Sequence, residues 1–325
     1  MPVSWAARLR VLLLQALVLG AVLGLAAYLV NNTLDNLARQ GIATGFSYLG
    51  RQASFAIGET LISYSAADSY GRALLVGLLN TIEIAVLGCV FASVLGLVIG
   101  IARLSSNWLI RNLAAIYIEA LRNVPLLLQL FLWWDVLRIA APGPRQAWEI
   151  LPGVFVSNRG LVFPVLSWSG GLHWDVPHLA GFNFAGGHTV TPEFAALLVG
   201  LVVYTAAFIA EIVRAGIEGV PRGQSEAAAA LGLRRWPALR HVILPQARRI
   251  ILPPLIGEYQ ALTKNSSLAV AIGFPYLMSV TNTTLNQTGQ AIEAIALMMA
   301  IYLVLSLLIA GALNVVNART RLVER

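Results

Sequence analysis

Lysine occurs once in this chain, at Lys264. A phosphate-binding P-loop needs Gly-x-x-x-x-Gly-Lys-Ser/Thr, and Lys264 stands between Thr263 and Asn265, so the chain does not bind ATP through such a loop. Cysteine also occurs once, as Cys89 in an apolar run, which excludes an internal disulfide. The four histidines, His173, His178, His188 and His241, lack a ligand spacing such as His-x-x-x-His and argue against a zinc site. Charge is scarce: 11% of the residues are charged and 58% are apolar, the balance of a polytopic membrane protein and not of a soluble domain. No Ser-His-Asp, metal-ligand or paired-carboxylate arrangement is readable, so no catalytic residue, metal or cofactor is expected.

Long apolar runs are what the chain does contain. Val11 to Val30 is free of charge and follows Arg8 and Arg10. It is long for a cleaved signal peptide and no clear small-x-small site precedes Asn31, so it predicts a retained first span. In residues 31–70, Leu34, Leu37, Phe46 and Leu49 could form one face of a short interfacial helix, against the effect of Gly41, Gly45 and Gly50. Ala73 to Ala102 is the second span. Glu83 interrupts it, either as a functional group or as a side chain snorkelling near the outer interface. Residues 110–121 read as interfacial, and a third span begins near Val124, with Trp133 and Trp134 in an aromatic belt. Residues 141–191 form a long loop rich in Pro, Gly, Trp and His, in which Leu161 to Leu166 is too short to cross. Phe194 to Val213 is the fourth span, carrying Glu211 and Arg214 on one helical face at its end. Ile250 to Ile272 is the fifth. Its Pro253-Pro254 pair predicts a break or kink, and Lys264 falls about 21 Å beyond Ile250 at about 1.5 Å per residue. Phe274 to Val280 is too short to cross, Thr281 to Gln290 reads as an uncharged polar loop, and Ile292 to Val316 is the last span.

Between the fourth and fifth spans lies a stretch written as two short helices. Ser225 is placed as an N-cap, Glu226 in the first turn and Ala227 to Ala230 in the helix, with Gly232 ending it. Pro237 suits the first turn of a second helix that runs to Leu244 before Pro245. A helix of about two turns is not stable alone in water and needs a surface to lie on.

This stretch resembles the signature loop of ABC-transporter permeases of the importer type: Glu-Ala-Ala, three residues, Gly, nine residues, Ile-x-Leu-Pro. Glu226, Ala227, Ala228, Gly232, Leu244 and Pro245 match it at full spacing, and Val242 stands for Ile. Three other segments resemble the polar amino-acid branch of that family. Tyr117 to Gln129 matches Tyr-x-Glu-x-x-Arg-x-x-Pro-Leu-Leu-x-Gln. Tyr204 to Ile217 matches Tyr-x-Ala-x-x-x-Ala-Glu-x-x-Arg-x-Gly-Ile, and Lys264 to Leu268 matches Lys-Asp/Asn-Thr/Ser-Ser-Leu. The long loops and Asn36 to Phe46 look like permeases for general or acidic L-amino acids.

The resemblance implies an all-α membrane protein of the type I importer fold: six transmembrane helices, a five-span permease core over 73–317 after an N-terminal span and extracytoplasmic segment over 1–72. It implies an ATP-binding subunit, present as a dimer, docking on loop 225–245, a second permease subunit and a periplasmic amino-acid-binding protein. The place implied is the bacterial inner membrane. Glu211, Arg214, Lys264 and Glu83 are the candidate pathway residues. With the N-terminus cytoplasmic and six spans, fourteen arginines lie inside, Arg319, Arg321 and Arg325 among them, against six outside. That asymmetry obeys the positive-inside rule, puts both termini and the signature loop in the cytoplasm, and accounts for the net charge of +7 without nucleic acid. A secondary transporter without an ATPase is the alternative; it leaves the signature loop unexplained.

Overall fold

The computed structural model describes residues 5–41, 44–168 and 171–320; Arg321 and Arg325 lie outside the described residues. The chain opens with a helix, α1, from Trp5–Arg39, which carries the expected first span nine residues beyond Val30. None of its most apolar stretch is buried, and Leu17 and Leu23 are among its exposed side chains. Residues 44–69 follow as an extended strap holding one 3-10 turn, Ser47–Gly50, in place of the interfacial helix expected there.

The next elements are α2 (Tyr70–Arg103), α3 (Trp108–Asn123) and α4 (Leu126–Asp135), the last prolonged by a π turn to Ala140. Ser69 caps α2 through its hydroxyl, which accepts from the Arg72 N–H, and the Asn107 side chain accepts from Leu109 and Ile110 at the start of α3. α3 and α4 meet at 103° around Pro125, where proline cannot continue a helix. Helix α5 (Pro192–Glu218) is capped by the Thr191 hydroxyl. Then come α6 (Arg222–Ala230) and α7 (Arg235–Ala238), a π turn at Leu239–Ile243, and α8 (Leu244–Asn265) with a 3-10 tail, Ser266–Ile272. α9 (Leu277–Thr288) and α10 (Ala291–Thr320) complete the chain.

Among the described residues four helices are long and apolar enough to cross a membrane, and up to six if each of two bent pairs counts as one span. The fold is predominantly helical, with one departure. Residues 141–191, expected as a loop, hold eight short strands: β1 (Trp148–Leu151), β2 (Val154–Ser157), β3 (Gly160–Phe163), β4 (Val165–Ser167), β5 (His173–Asp175), β6 (His178–Ala180), β7 (Asn183–Ala185) and β8 (His188–Val190). Strands β1-β2-β3-β8 make an antiparallel sheet, and β4–β5 and β6–β7 are separate hairpins. The Leu161 to Leu166 run thus supplies strand residues.

The bundle is held by close backbone approach. A methyl group on Gly96 of α2 would lie 2.7 Å from Ile209 Cβ on α5, and one on Gly100 would lie 2.7 Å from the Ala210 carbonyl. Small residues at such crossings let helices meet where no water is available to drive them together. These contacts set α2 and α5 parallel. Gly88 of α2 against Leu262, and Gly216 of α5 against Ile251, set α8 antiparallel to both. The C-termini of α2 and α5 therefore share one end of the bundle with α6 and α7, here called the signature end. The strap, the strands and α9 lie at the opposite end.

Two expectations do not hold. The Pro253-Pro254 pair does not break α8, which runs through both prolines. Both are exposed, so the carbonyls of Arg249 and Ile250, deprived of their N–H partners, lie on the outer face of the bundle. The break comes later, at Gly273 (φ 79°) and Pro275, where α9 departs at 53°. Thr281 to Gln290 is not a loop: the hydroxyls of Thr281, Thr284 and Thr288 donate to carbonyls four residues back and let a polar sequence stay helical. Trp133 and Trp134, both half-buried, pack against the core of Leu130, Leu197 and Leu201.

Candidate functional site

The signature loop folds into α6, α7 and the π turn, laid across the end of α5. Its first helix starts earlier than expected. Pro221, not Ser225, is the N-cap, because its ring already holds the backbone angle of the entering chain. Ser225 lies inside α6 and its hydroxyl donates to the Arg222 carbonyl, and Glu226 falls in the second turn, away from the strongest part of the helix dipole. The far end is as expected. Gly232 has φ 74°; its N–H donates to the Ala229 carbonyl (2.9 Å), and the Leu233 N–H donates to the Ala228 carbonyl (3.0 Å). This pair of bonds closes the helix on a left-handed residue that only glycine adopts without strain.

Ala228 alone of α6 is buried, while Glu226, Ala227, Ala229 and Ala230 are exposed. Leu231 is 81% exposed and Trp236 64%. A cavity of about 780 Å³ opens between the end of α5 and this loop, lined by Ile217, Val220, Ala229, Leu233, Leu239 and Ile243 among others. The second short helix does not stop before Pro245. The π turn carries it into α8, and Leu244 and Pro245 form the first turn of that helix, where proline's missing N–H is not required. The Gln246 amide donates to Gln224 Oε1 (3.1 Å) and to the Val242 carbonyl (3.0 Å), tying α8 to α6. The loop is thus mechanically joined to two long helices: α5, which leads into it, and α8, which leaves it.

Glu211 and Arg214 do meet. Arg214 Nε lies 3.1 Å from each oxygen of Glu211, and its other nitrogens reach Glu211 and Glu218. The pair sits on the last turns of α5 near the signature end. Arg122, at the end of α3, lies over the Phe208 ring at 4.9 Å, a cation–π contact with α5. The other two candidates are elsewhere. Lys264 is exposed in the last turn of α8 and makes no ion pair among the described residues. Glu83 lines a cavity of about 80 Å³ with Glu59, Asn80 and His188 at the opposite end. One pair is therefore assembled, and Lys264 and Glu83 do not join it.

The structure also accounts for the matched segments. Gln129, buried, donates to the carbonyls of Leu121 (2.8 Å) and Val124 (3.0 Å), closing the C-terminus of α3 across the Pro125 corner. The Tyr117 hydroxyl donates to the Val203 carbonyl (2.7 Å), fixing α3 on α5. Ser266 donates to the Thr263 carbonyl (2.7 Å), and the Tyr276 hydroxyl donates to the Ser267 carbonyl. Sequence reasoning did not single out the ties at the opposite end. There the Thr191 N–H donates to Glu59 Oε1 (2.9 Å), the Gly45 N–H to Glu293 Oε1 (2.7 Å), and Asn80 to the carbonyls of Glu59 (2.9 Å) and Pro275 (2.8 Å). Burial pushes the Glu59 carboxyl above the usual glutamate range, opposed in part by the bonds from Thr191. A polar residue in an apolar span, as Asn80 is, was the available signal.

Known proteins share this architecture. The chain is 46% identical to YhdX of Escherichia coli (strain K12), covering 97% of this chain and 95% of that protein. It is 41% identical to the general L-amino acid transport system permease protein AapQ of Rhizobium johnstonii, covering 97% and 93%. The crystal structure of an amino acid ABC transporter with histidines superposes with a TM-score of 0.56 at 28% identity, covering 77% of this chain and 95% of that one. The inward-facing MetNI methionine ABC transporter, at 18% identity and a TM-score of 0.55, shares the fold. Residues 92–322 match the model of one family, and the chain, with its two short helices seated on a glycine-packed helical bundle, belongs to the binding-protein-dependent transport system inner membrane components.

Proposed function

We propose that this chain is a permease subunit of an ATP-binding-cassette importer that moves amino acids across the bacterial inner membrane. Six spans cross the membrane, formed by α1, α2, α3–α4, α5, α8 and α10, with both termini cytoplasmic; the permease domain occupies 73–317 after an N-terminal unit of 1–72. The observation that carries the reading is the signature loop: a nine-residue helix closed by Gly232, with an exposed face, tied by Gln246 to α8 and joined to α5 through residues 219–221. A pair of ATP-binding subunits docks there through Glu226, Ala227, Ala228, Gly232, Leu244 and Pro245, and closure of that pair moves α5 and α8 together. The missing P-loop lysine supports an ATPase on a separate polypeptide. A second permease subunit and an extracytoplasmic binding protein complete the importer. The amino-acid substrate is supported by the names of the relatives, and Glu211, Arg214, Lys264 and Glu83 are the charges placed along the pathway.

Copurification from membranes tests the docking role: the chain brings down an ATPase subunit, and a chain that transports while purified free of any ATPase is a secondary transporter. Reporter fusions test the topology. Fusions at Ser65, Ala147 and Asn286 report outside, and those at Arg111 and Arg235 report inside. A mature N-terminus near Asn31 would remove the first span.

A further inference from the structure

Between residues 219 and 257 the chain holds six arginines and one carboxylate, Glu226. Three of the six converge. Arg240 of the π turn and Arg248 and Arg249 of the first turns of α8 line one cavity of about 300 Å³ together with Leu244 and Pro245. None of the three makes an ion pair among the described residues, whereas Arg72, Arg138 and Arg214 all pair with carboxylates. Three guanidinium groups around a shared space repel one another, and among the described residues that line it no carboxylate offsets this.

The next turn of α8 identifies the counter-charge. Ile250, directly after Arg249, is exposed, and so are Pro253 and Pro254 one turn further on. The basic cluster thus gives way directly to outward-facing apolar surface at the point where the helix enters the span. A free anion uses only the arginines. A phospholipid uses both surfaces, its phosphate held by the guanidinium forks and its acyl chains lying along Ile250 and the prolines. The cavity shares no lining residue with the groove beneath α6, and it borders the proposed docking surface at Leu244 and Pro245.

We infer that Arg240, Arg248 and Arg249 form a headgroup site for an anionic phospholipid at the membrane entry of α8. A lipid held there anchors the foot of the helix whose first turn is tied to the signature loop.

The test uses the full chain purified in detergent, with lipid adducts counted by native mass spectrometry. Phosphatidylglycerol is expected to bind in preference to phosphatidylcholine at equal concentration. Each arginine changed to glutamine is expected to weaken that preference about fivefold, and the triple variant R240Q/R248Q/R249Q to abolish it. The triple lysine variant R240K/R248K/R249K keeps the charge and is expected to retain a preference, which separates loss of the site from loss of the fold. Arg145→Gln with Arg159→Gln, in the strand region, is expected to change nothing. Equal binding of the two lipids, or a phosphatidylglycerol preference that survives the triple glutamine change, overturns the site. Displacement of the lipid by millimolar inorganic phosphate assigns the arginines to a soluble anion and overturns the lipid reading. Loss of the preference when a copurified protein partner is present assigns them to a protein interface, with the same consequence.

Discussion

At the signature end of the bundle, α6 and α7 are held mostly by backbone bonds within a dozen residues of one another, and of the α6 side chains only that of Ala228 is buried. At the opposite end, residues 45, 59 and 80 are tied to residues 293, 191 and 275, and Tyr48 and Phe274 are fully buried among them. One end is a local structure offered to something else; the other is a non-local structure closed on itself. The difference implies that perturbing the first alters coupling and leaves the protein standing, while perturbing the second loosens the protein and leaves docking intact.

The sharpest way to break this contrast is at Gly232. Proline cannot adopt φ 74°, and it removes the N–H that Ala229 accepts from. The local cost of about 3 kcal/mol exceeds what a nine-residue helix can hold alone, so Gly232→Pro is expected to abolish amino-acid uptake at undiminished membrane abundance. Glu226→Lys, on the exposed face of α6, acts in the same direction. Uptake by both variants at the parental rate, assayed in whole cells beside immunoblots of the membrane fraction, removes the docking role.

Asn80→Ala probes the other end. It strips two carbonyls of their donor and is expected to cost about 2 kcal/mol, read as a lower unfolding midpoint in detergent. ATPase copurification is expected to stay unchanged. If Asn80→Ala also releases the ATPase, the two ends are not independent.

Smaller effects are expected at the pathway charges. Glu211→Gln leaves Arg214 its contact with Glu218, and a partly exposed pair contributes at most about 1 kcal/mol. Lys264→Met removes an exposed charge near the opposite end. Each is expected to slow uptake without changing abundance or copurified ATPase. If both variants transport at the parental rate, the charges have no part in the pathway.

The smallest expected effect is a dependence on pH at Glu59. Its carboxyl keeps its proton to higher pH in the folded chain than in the unfolded one, so the folded state binds more protons across that window. Stability therefore falls as pH rises from the ordinary glutamate range through the raised value. Glu59→Gln keeps an oxygen for the Thr191 N–H and has no charge to bury. Unfolding midpoints measured at pH 4 and pH 8 should fall less over that rise in the variant than in the parent. Equal falls would show that Glu59 does not feel its burial.

What the sequence by itself determined is what depends on near neighbours. Apolar runs located the long helices α1, α2, α5 and α10, and Gly232 marked the end of α6. Glu211 and Arg214, three residues apart on one helix, form a pair by their spacing alone. Ser225 misled because a serine that caps one helix can equally bond back inside another, and the choice fell to the rigid ring of Pro221. Pro253 and Pro254 misled because each removes one i→i−4 bond of its own helix without ending it, and here α8 runs on through both. Tertiary structure alone decided the rest. Residues 148–190 alternate too weakly to declare strands, and their pairing, β3 with β8 above all, joins segments some thirty residues apart. The ties of Glu59 to Thr191 and of Gly45 to Glu293, like the convergence of Arg240 with Arg248 and Arg249, exist because folding brings those groups to one place, and a linear pattern carries no record of a distance it does not set.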